Sequence, residues 1–376
     1  MMTFRNVLAL IAAALCLLAL ASPLGSVAGV SLSLWDDVGL LVFALALIAA
    51  VLGIVSRKLT GGAADIVMLV LPHSGAWYLI ARLGIADQDL QAGYWCLVIA
   101  SWLAAWIFVD QLSAKKPKSP SLQRFYGVVV PVLFGVWLLI LWETLVRGFQ
   151  VPTVLLPPPS MIGARFAAST AILWADFQQT FLKAVLIGYA LGCGSAFLTA
   201  ILIDRVPFLQ RGLLPIGNLV SALPIIGVAP IMVMWFGFDW QSKAAVVIIM
   251  TFFPMLVNTV AGLSISSQME KDMMKTYAAG YWQSLIKLRL PSALPFIFNA
   301  LKINSTLAMI GAIVAEFFGT PIVGMGFRIS TEVGRMNVDM VWAEIAVAAL
   351  AGTAFYGVMN VIERACTFWH PSFRNG

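Results

Sequence analysis

Long apolar runs recur along the chain, separated by short polar stretches. Ten can be drawn, at 5–24, 37–55, 65–83, 93–110, 126–146, 178–203, 213–236, 243–265, 296–319 and 341–363. About 20 apolar residues suffice to cross a bilayer as a helix. Backbone groups in hydrocarbon must be satisfied within the segment, so such runs are helices. The pattern predicts an all-α polytopic membrane protein of about ten spans. Pro131, Pro224, Pro230 and Pro254 fall inside predicted spans and predict kinks or broken turns, because each removes a donor. Two intervening loops are longer than connectors need to be, from Arg147 to Phe177 and from Ser266 to Pro295.

Composition agrees with this pattern. Of the 376 residues, 61% are hydrophobic and 11% charged, and the mean hydropathy is +0.94. An ordinary soluble enzyme has about 25% charged residues, so that class is excluded. The net charge of +6 does not point to nucleic acid, since the basic residues lie in short loops between apolar runs. Sorted by side, fifteen Lys and Arg fall on one face of the membrane, while only Arg82, Arg147, Arg165, Lys243, Arg328 and Arg335 fall on the other. The positive-inside rule makes the richer side cytoplasmic, with both termini there. For the first run there is a competing reading: Arg5, an apolar stretch and Ala19-Leu-Ala21 before Ser22 also fit a signal peptide. Cys16, Cys96, Cys193 and Cys366 lack CxxC spacing and read as small core residues, and neither His73 nor His370 has a neighbouring metal ligand.

The basic, proline-containing stretch at 113–125 reads as a cytoplasmic linker. It divides the chain into a four-helix membrane extension at 1–112 and a six-helix core at 126–376. The extension has no charge constellation. It reads as a peripheral packing unit, or else as a docking surface for a binding protein or another subunit.

The inside loop at 266–295 predicts two short helices with a turn at Gly280. Tyr277, Tyr281, Trp282, Leu285 and Leu288 give it an apolar face. Such a loop either lies on lipid or docks into a groove on another protein.

This loop resembles the EAA loop of permease subunits in bacterial binding-protein-dependent ABC importers. Counting back from Leu290-Pro291 places Asp272 at the family's Glu, Met273 and Met274 at its alanines, Ala278 at its Gly and Leu288 at its aliphatic position. The first four differ from the family residues. Further segments occur in the family's order: Leu156-Pro-Pro-Pro-Ser160, Ser221-Ala-Leu-Pro224 with Pro230, Trp235-Phe-Gly237, Ser242-Lys243, and Ala315-Glu-Phe-Phe-Gly319 with Gly324-Met-Gly326. Together they resemble the nitrate/sulfonate/taurine branch, over roughly residues 126–370.

The resemblance implies a type I importer fold in the bacterial inner membrane. It also implies a second permease copy, an ATPase dimer and an extracytoplasmic solute-binding protein as partners. Residues Asp272, Met273, Met274, Ala278, Ala279, Gly280, Leu288 and Pro291 would then make the ATPase-coupling contact. The chain contains no Gly-Lys dipeptide, so a phosphate-binding loop of the G-x-x-x-x-G-K type is impossible. ATP is expected on partner subunits, with no catalytic residue, metal or cofactor in this chain. The solute expected from the branch is a small anion such as nitrate, a sulfonate or taurine. Vitamin or pyrimidine precursors within the same class, and ion-coupled secondary transport, are the alternatives.

Charges inside spans are functional suspects. Glu143, Lys183 and Glu344 lie near predicted helix ends, where snorkelling accounts for them. Glu316 and Lys302, with Trp235, Phe236 and Pro224, are the candidates for the translocation pathway.

Overall fold

The structure is a computed structural model that describes residues 4–27, 29–56, 58–59, 61–83, 88–115, 119–206, 208–209, 211–213, 215–216, 224–319 and 322–369. Ser221-Ala-Leu223, the loop charges Arg57, Lys116, Lys118 and Arg374, and His370 lie outside the described residues. Two compact units form, Met1–Met161 and Ile162–Gly376.

The first unit holds α1 (Phe4–Ala21), α2 (Val38–Val55), α3 (Gly61–Ala81), α4 (Ala92–Ser113) and α5 (Pro120–Gly148). Helix α1 packs on α4 through small side chains, with Ala9, Ala12, Cys16 and Ala19 fully buried opposite Ala100 and Ala104. Small residues allow the close helix approach that supplies packing energy inside a bilayer. The apolar pattern did not predict strands, yet three short ones occur: β1 (Gly25–Val27), β2 (Val30–Leu32) and β3 (Gln88–Leu90). They pair antiparallel in the order β2-β1-β3. Helix α5 belongs to this unit, so the unit boundary falls after residue 126. The cause is packing: Trp137 of α5 is buried with Ala76 and Ala105, and its indole N–H donates to His73 Nε2 at 3.1 Å.

Helix α6 (Pro159–Ala168) follows. The second unit then holds α7 (Thr170–Arg205), α8 (Ile225–Phe236), α9 (Trp240–Ser264), α10 (Gln268–Thr276), α11 (Tyr281–Glu316), α12 (Met325–Gly334) and α13 (Val338–Cys366). Helices α7 and α11 contain π-helical stretches at Gln178–Val185 and Leu285–Arg289. The core is α9 packed between α7 and α11. A Cβ on Gly188 would lie 2.7 Å from that of Val247, and one on Gly192 would lie 2.1 Å from Thr251 Oγ1. The Gly188-x-x-x-Gly192 pair is therefore where α7 meets α9.

Among the described residues, nine helices are long and apolar enough to cross a membrane. Within the expected run at 213–236, the longest helix among the described residues is α8, which has 12 residues, or about 18 Å at 1.5 Å per residue. Pro224 precedes its first turn, while Pro131, Pro230 and Pro254 sit inside continuous helices. The cysteines are free. Cys16 and Cys193 are buried as expected, but Cys366 is exposed at the end of α13.

Candidate functional site: a clamped loop and a buried carboxylate cradle

The loop after α9 begins at a capping box. Ser267 Oγ accepts from the Glu270 N–H at 3.3 Å, and Glu270 returns a bond to the Ser267 N–H at 2.8 Å. These bonds satisfy donors left free at the start of α10. Lys275 donates to Asp272 at 3.0 Å, and that bond holds the Asp272 carboxyl below the usual carboxylate range.

The turn differs from the sequence reading in one respect. Gly280 has φ −71°, a conformation open to any residue, whereas Ala278 has φ +53°. The left-handed position is the one aligned with the family's Gly. Left-handed backbone costs a residue with a Cβ roughly 1–2 kcal/mol. Part of the gain from glycine is offset by its freer unfolded chain. Ala278→Gly is therefore expected to stabilise the detergent-purified protein by about 1 kcal/mol, read as a higher melting temperature. A lower one would refute the strain argument.

Beyond the turn, α11 is clamped to the core. Arg289 makes a two-pronged ion pair with Asp204 at the end of α7, with one arm at 2.8 Å. It also donates to the Leu263 carbonyl of α9 at 3.0 Å. The Tyr281 hydroxyl donates to Asp204 Oδ2 at 2.9 Å, and Arg205 lies over the Tyr281 and Trp282 rings. The expected single apolar face consequently splits. Leu285 is buried, with Tyr281 and Leu288 half-buried beside it, while Trp282, Ile286 and Tyr277 are exposed. On α10 and its C-cap, Met269, Met273 and Tyr277 lie one turn apart and are 83%, 54% and 79% exposed. Asp272, Ala278 and Gly280 are exposed as well, and Met274, Ala279 and Pro291 are half-buried.

A second cluster surrounds the start of α12. Glu316, at the end of α11, accepts from Thr180 Oγ1 at 2.8 Å and from the Gly326 N–H at 2.7 Å. Asp176 accepts from the Gly324 N–H at 2.6 Å and from Arg328 Nε at 2.8 Å. Thr180 Oγ1 accepts in turn from the Met325 N–H at 2.8 Å. Three backbone donors that an α-helix leaves unsatisfied at its start are thus met by α7 and α11. The space is glycine-shaped, since a Cβ on Gly324 would lie 2.8 Å from the Glu316 carboxyl and one on Gly326 would lie 2.1 Å from the Ile313 carbonyl oxygen. Lys243 is buried nearby, donating to the Phe238 carbonyl at 2.7 Å and to the Gly319 carbonyl. Gln179 donates to Asp239 at 2.7 Å, and that bond above all keeps the Asp239 carboxyl low.

The suggested pathway residues do not form one site. The Glu316 carboxyl is buried in the cradle. Lys302 is paired with Glu363 at 2.6 Å. Trp235 and Phe236 are 71% and 53% exposed on α8, and Pro224 is exposed at its start. Snorkelling is corrected for two of the three acids and bases assigned to helix ends. Glu143 is buried and accepts from the Ser160 N–H at 2.8 Å and its hydroxyl at 2.7 Å, which explains the Ser of the Pro-Pro-Pro-Ser segment. Glu344 is fully buried; its carboxyl lies near the Asp176 carboxyl and the Arg328 guanidinium, and neither of its oxygens has a hydrogen-bond partner among the described residues. Lys183 remains exposed and donates to Gln179 at 3.0 Å.

Sequence reasoning missed Asp176 because the span was drawn from 178, whereas α7 starts at Thr170. A span drawn eight residues earlier would have counted it among the intramembrane charges. Asp204 carried no local signal.

These features belong to a known class. The binding-protein-dependent transport system inner membrane component family matches residues 184–367. A riboflavin transport system permease protein of Chloroflexus aurantiacus is 30% identical over 262 residues, covering 68% of this chain and 96% of that protein. A formylaminopyrimidine transport permease protein of Halalkalibacterium halodurans is 30% identical over 248 residues, covering 66% and 98%. A putative aliphatic sulfonates transport permease protein of Bacillus subtilis is 26% identical, covering 68% and 92%. The chain belongs to this family. It is a multi-pass inner-membrane permease of an ABC importer, in the branch that its sequence resembles.

Proposed function

We propose that the chain carries a small polar solute across the membrane by alternating access, driven by a separate ATPase dimer seated on α10 and the start of α11. A second permease copy completes the path, and an extracytoplasmic binding protein delivers the solute. The α10 end, with Lys271, Lys275, Lys287 and Arg289 around it, is the cytoplasmic one under the positive-inside rule. The relatives are named for solutes as different as sulfonates, riboflavin and a formylaminopyrimidine, so membership of the family leaves the solute open between the anions and the vitamin precursors.

The observation that carries this reading is the contrast along the loop. Arg289 and Tyr281 fasten α11 to α7 and α9, while α10 and its C-cap leave Met269, Met273 and Tyr277 uncovered. A stiff element with an apolar outer stripe transmits a partner's movement into the helices behind it. Methionine suits such a contact, because its flexible thioether fits irregular grooves.

Met273→Glu places a charge in that contact without touching the core, since Met273 is exposed. Burying the carboxylate unpaired is costly. Co-purification in detergent with the co-expressed ATPase is expected to fall at least about tenfold, with the yield and melting of the permease unchanged. Undiminished ATPase recovery would refute α10 as the docking element.

A further inference from the structure

Helix α11 presents one uncovered stripe within its membrane part. Asn299, Ile303, Thr306 and Ile310 are exposed, at spacings of four, three and four residues, which is the period of a single helix face. Arg289 is anchored to the Leu263 carbonyl at the cytoplasmic end of α9. At 1.5 Å per residue, Asn299 and Thr306 stand about 15 and 26 Å from that level, inside a hydrocarbon layer of roughly 30 Å. Helix α8 packs on the outer part of α11, with Ala229 and Met232 clustered with Ala315 and Val246.

The two polar groups on the stripe are exposed, whereas Asn304 and Ser305 on the same helix are buried. The Asn304 amide nitrogen donates to the Thr251 carbonyl at 2.7 Å, although its oxygen is unpartnered among the described residues. The Asn299 amide, by contrast, has no hydrogen-bond partner among the described residues. Thr306 donates to the Ile303 carbonyl at 2.8 Å, which leaves its oxygen free to accept. An amide facing lipid tails without partners costs roughly 2–7 kcal/mol. Such a group belongs against a polar space.

Charge is absent from the same stripe. In α8, α9 and α11 from Leu290 onward, the charged residues are Lys243, Lys302 and Glu316. Each is engaged elsewhere: Lys243 on backbone carbonyls, Lys302 on Glu363 and Glu316 in the α12 cradle. A solute moving along this face meets an amide, a hydroxyl and aliphatic carbons. An anion there would shed water without gaining a counter-charge, which is costly in a low-dielectric space.

Resting on the importer reading above, we infer that Asn299 and Thr306 line the solute path and hydrogen-bond an uncharged polar solute, of the nitrogen-heterocycle type, in preference to an anion. Asn299 offers one donor edge and one acceptor, and Thr306, about 10 Å further along the helix, offers an acceptor. The flanking Ile303 and Ile310 accommodate the apolar faces of a flat ring.

The test uses the permease assembled with its ATPase in membrane vesicles, with Cys366→Ser removing the exposed native thiol. Asn299→Cys and Thr306→Cys are labelled with two methanethiosulfonate reagents of equal size, one neutral and hydroxyl-bearing, the other bearing a sulfonate. Leu350→Cys, 65% exposed in an apolar groove on α13, serves as the control away from the stripe. The neutral reagent is expected to react at least about tenfold faster than the anionic one at both positions, with neither labelling the control. Equal or faster anionic labelling would overturn the solute class. Absence of labelling by both reagents, or a disulfide between two copies through Asn299→Cys, would overturn the path assignment. Labelling rates that ignore vanadate trapping of the ATPase would count against the ATP-driven reading while leaving the ranking of reagents intact.

Discussion

Asp204→Ala is expected to destabilise the permease by about 3 kcal/mol or more, the usual cost of stranding one partner of a buried ion pair. The Arg289 and Asp204 side chains are 16% and 10% exposed, so water compensates little for the lost contact. The substitution also removes the acceptor of the Tyr281 hydroxyl. The three bonds that Asp204 accepts from α11 disappear together, leaving the Arg289 bond to the Leu263 carbonyl, the long Tyr281 contact to the Ile201 carbonyl and the Arg205 stacking on Tyr281 and Trp282. The melting temperature in detergent should drop, and solute uptake per ATP hydrolysed should fall further than stability alone explains. Replacing both residues, as Asp204→Leu with Arg289→Met, should recover much of the stability, since apolar pairs often match buried ion pairs. It should not recover coupling, because the fork between helices is gone. Stability within about 0.5 kcal/mol of wild type for Asp204→Ala would remove the clamp from the mechanism.

Gly326→Ala should be the most damaging single methyl addition in the second unit. The new Cβ would sit 2.1 Å from the Ile313 carbonyl oxygen and 2.9 Å from the Glu316 Cβ. The first contact is with backbone of α11, which cannot swing aside as a long side chain can. Helix α12 must therefore retreat, drawing the Gly326 N–H away from Glu316, which is 2% exposed. Overpacking of this kind costs roughly 1–3 kcal/mol, and a stranded buried acceptor adds about 1–3 more. Folded yield and uptake are both expected to collapse. Glu316 variants grade the same site: Glu316→Gln keeps the shape but places a donor toward the Gly326 N–H or Thr180, whereas Glu316→Ala strands both of those donors. Uptake should fall in the order wild type, Gln, Ala. A Gly326→Ala protein with wild-type melting would show that α12 is not held in the way described.

Much of the architecture follows from local composition. Hydropathy is a sum over neighbouring residues, so nine of the ten apolar runs appear as membrane-length helices among the described residues. The loop between α9 and α11 is legible for a related reason. Its length, its charges and the Leu290-Pro291 pair are properties of a contiguous stretch, and the structure places a capped helix, α10, inside it.

Partnership over long chain separation was not legible. Glu316 was marked by its burial cost, but its partner Thr180 lies 136 residues away, and Asp204 finds Arg289 across 85. Neither pairing changes the local pattern of either helix. The turn shows the same division at small scale. The sequence suggested Gly280 because glycine is permissive, yet backbone closure between α10 and α11 gives the left-handed position to Ala278. The strands at 25–27, 30–32 and 88–90 escaped because three residues are too few to show a period of two.

The apolar runs and their spacing thus establish a bundle of membrane helices with one long polar loop, since burial of apolar surface and the bilayer's thickness act residue by residue. The helix crossings fix which carboxylates hold α12, which ion pair ties α11 to α7, and which face of α11 stays uncovered and uncharged. Those depend on where helices cross, and a buried charge takes whichever donor the crossing brings within reach.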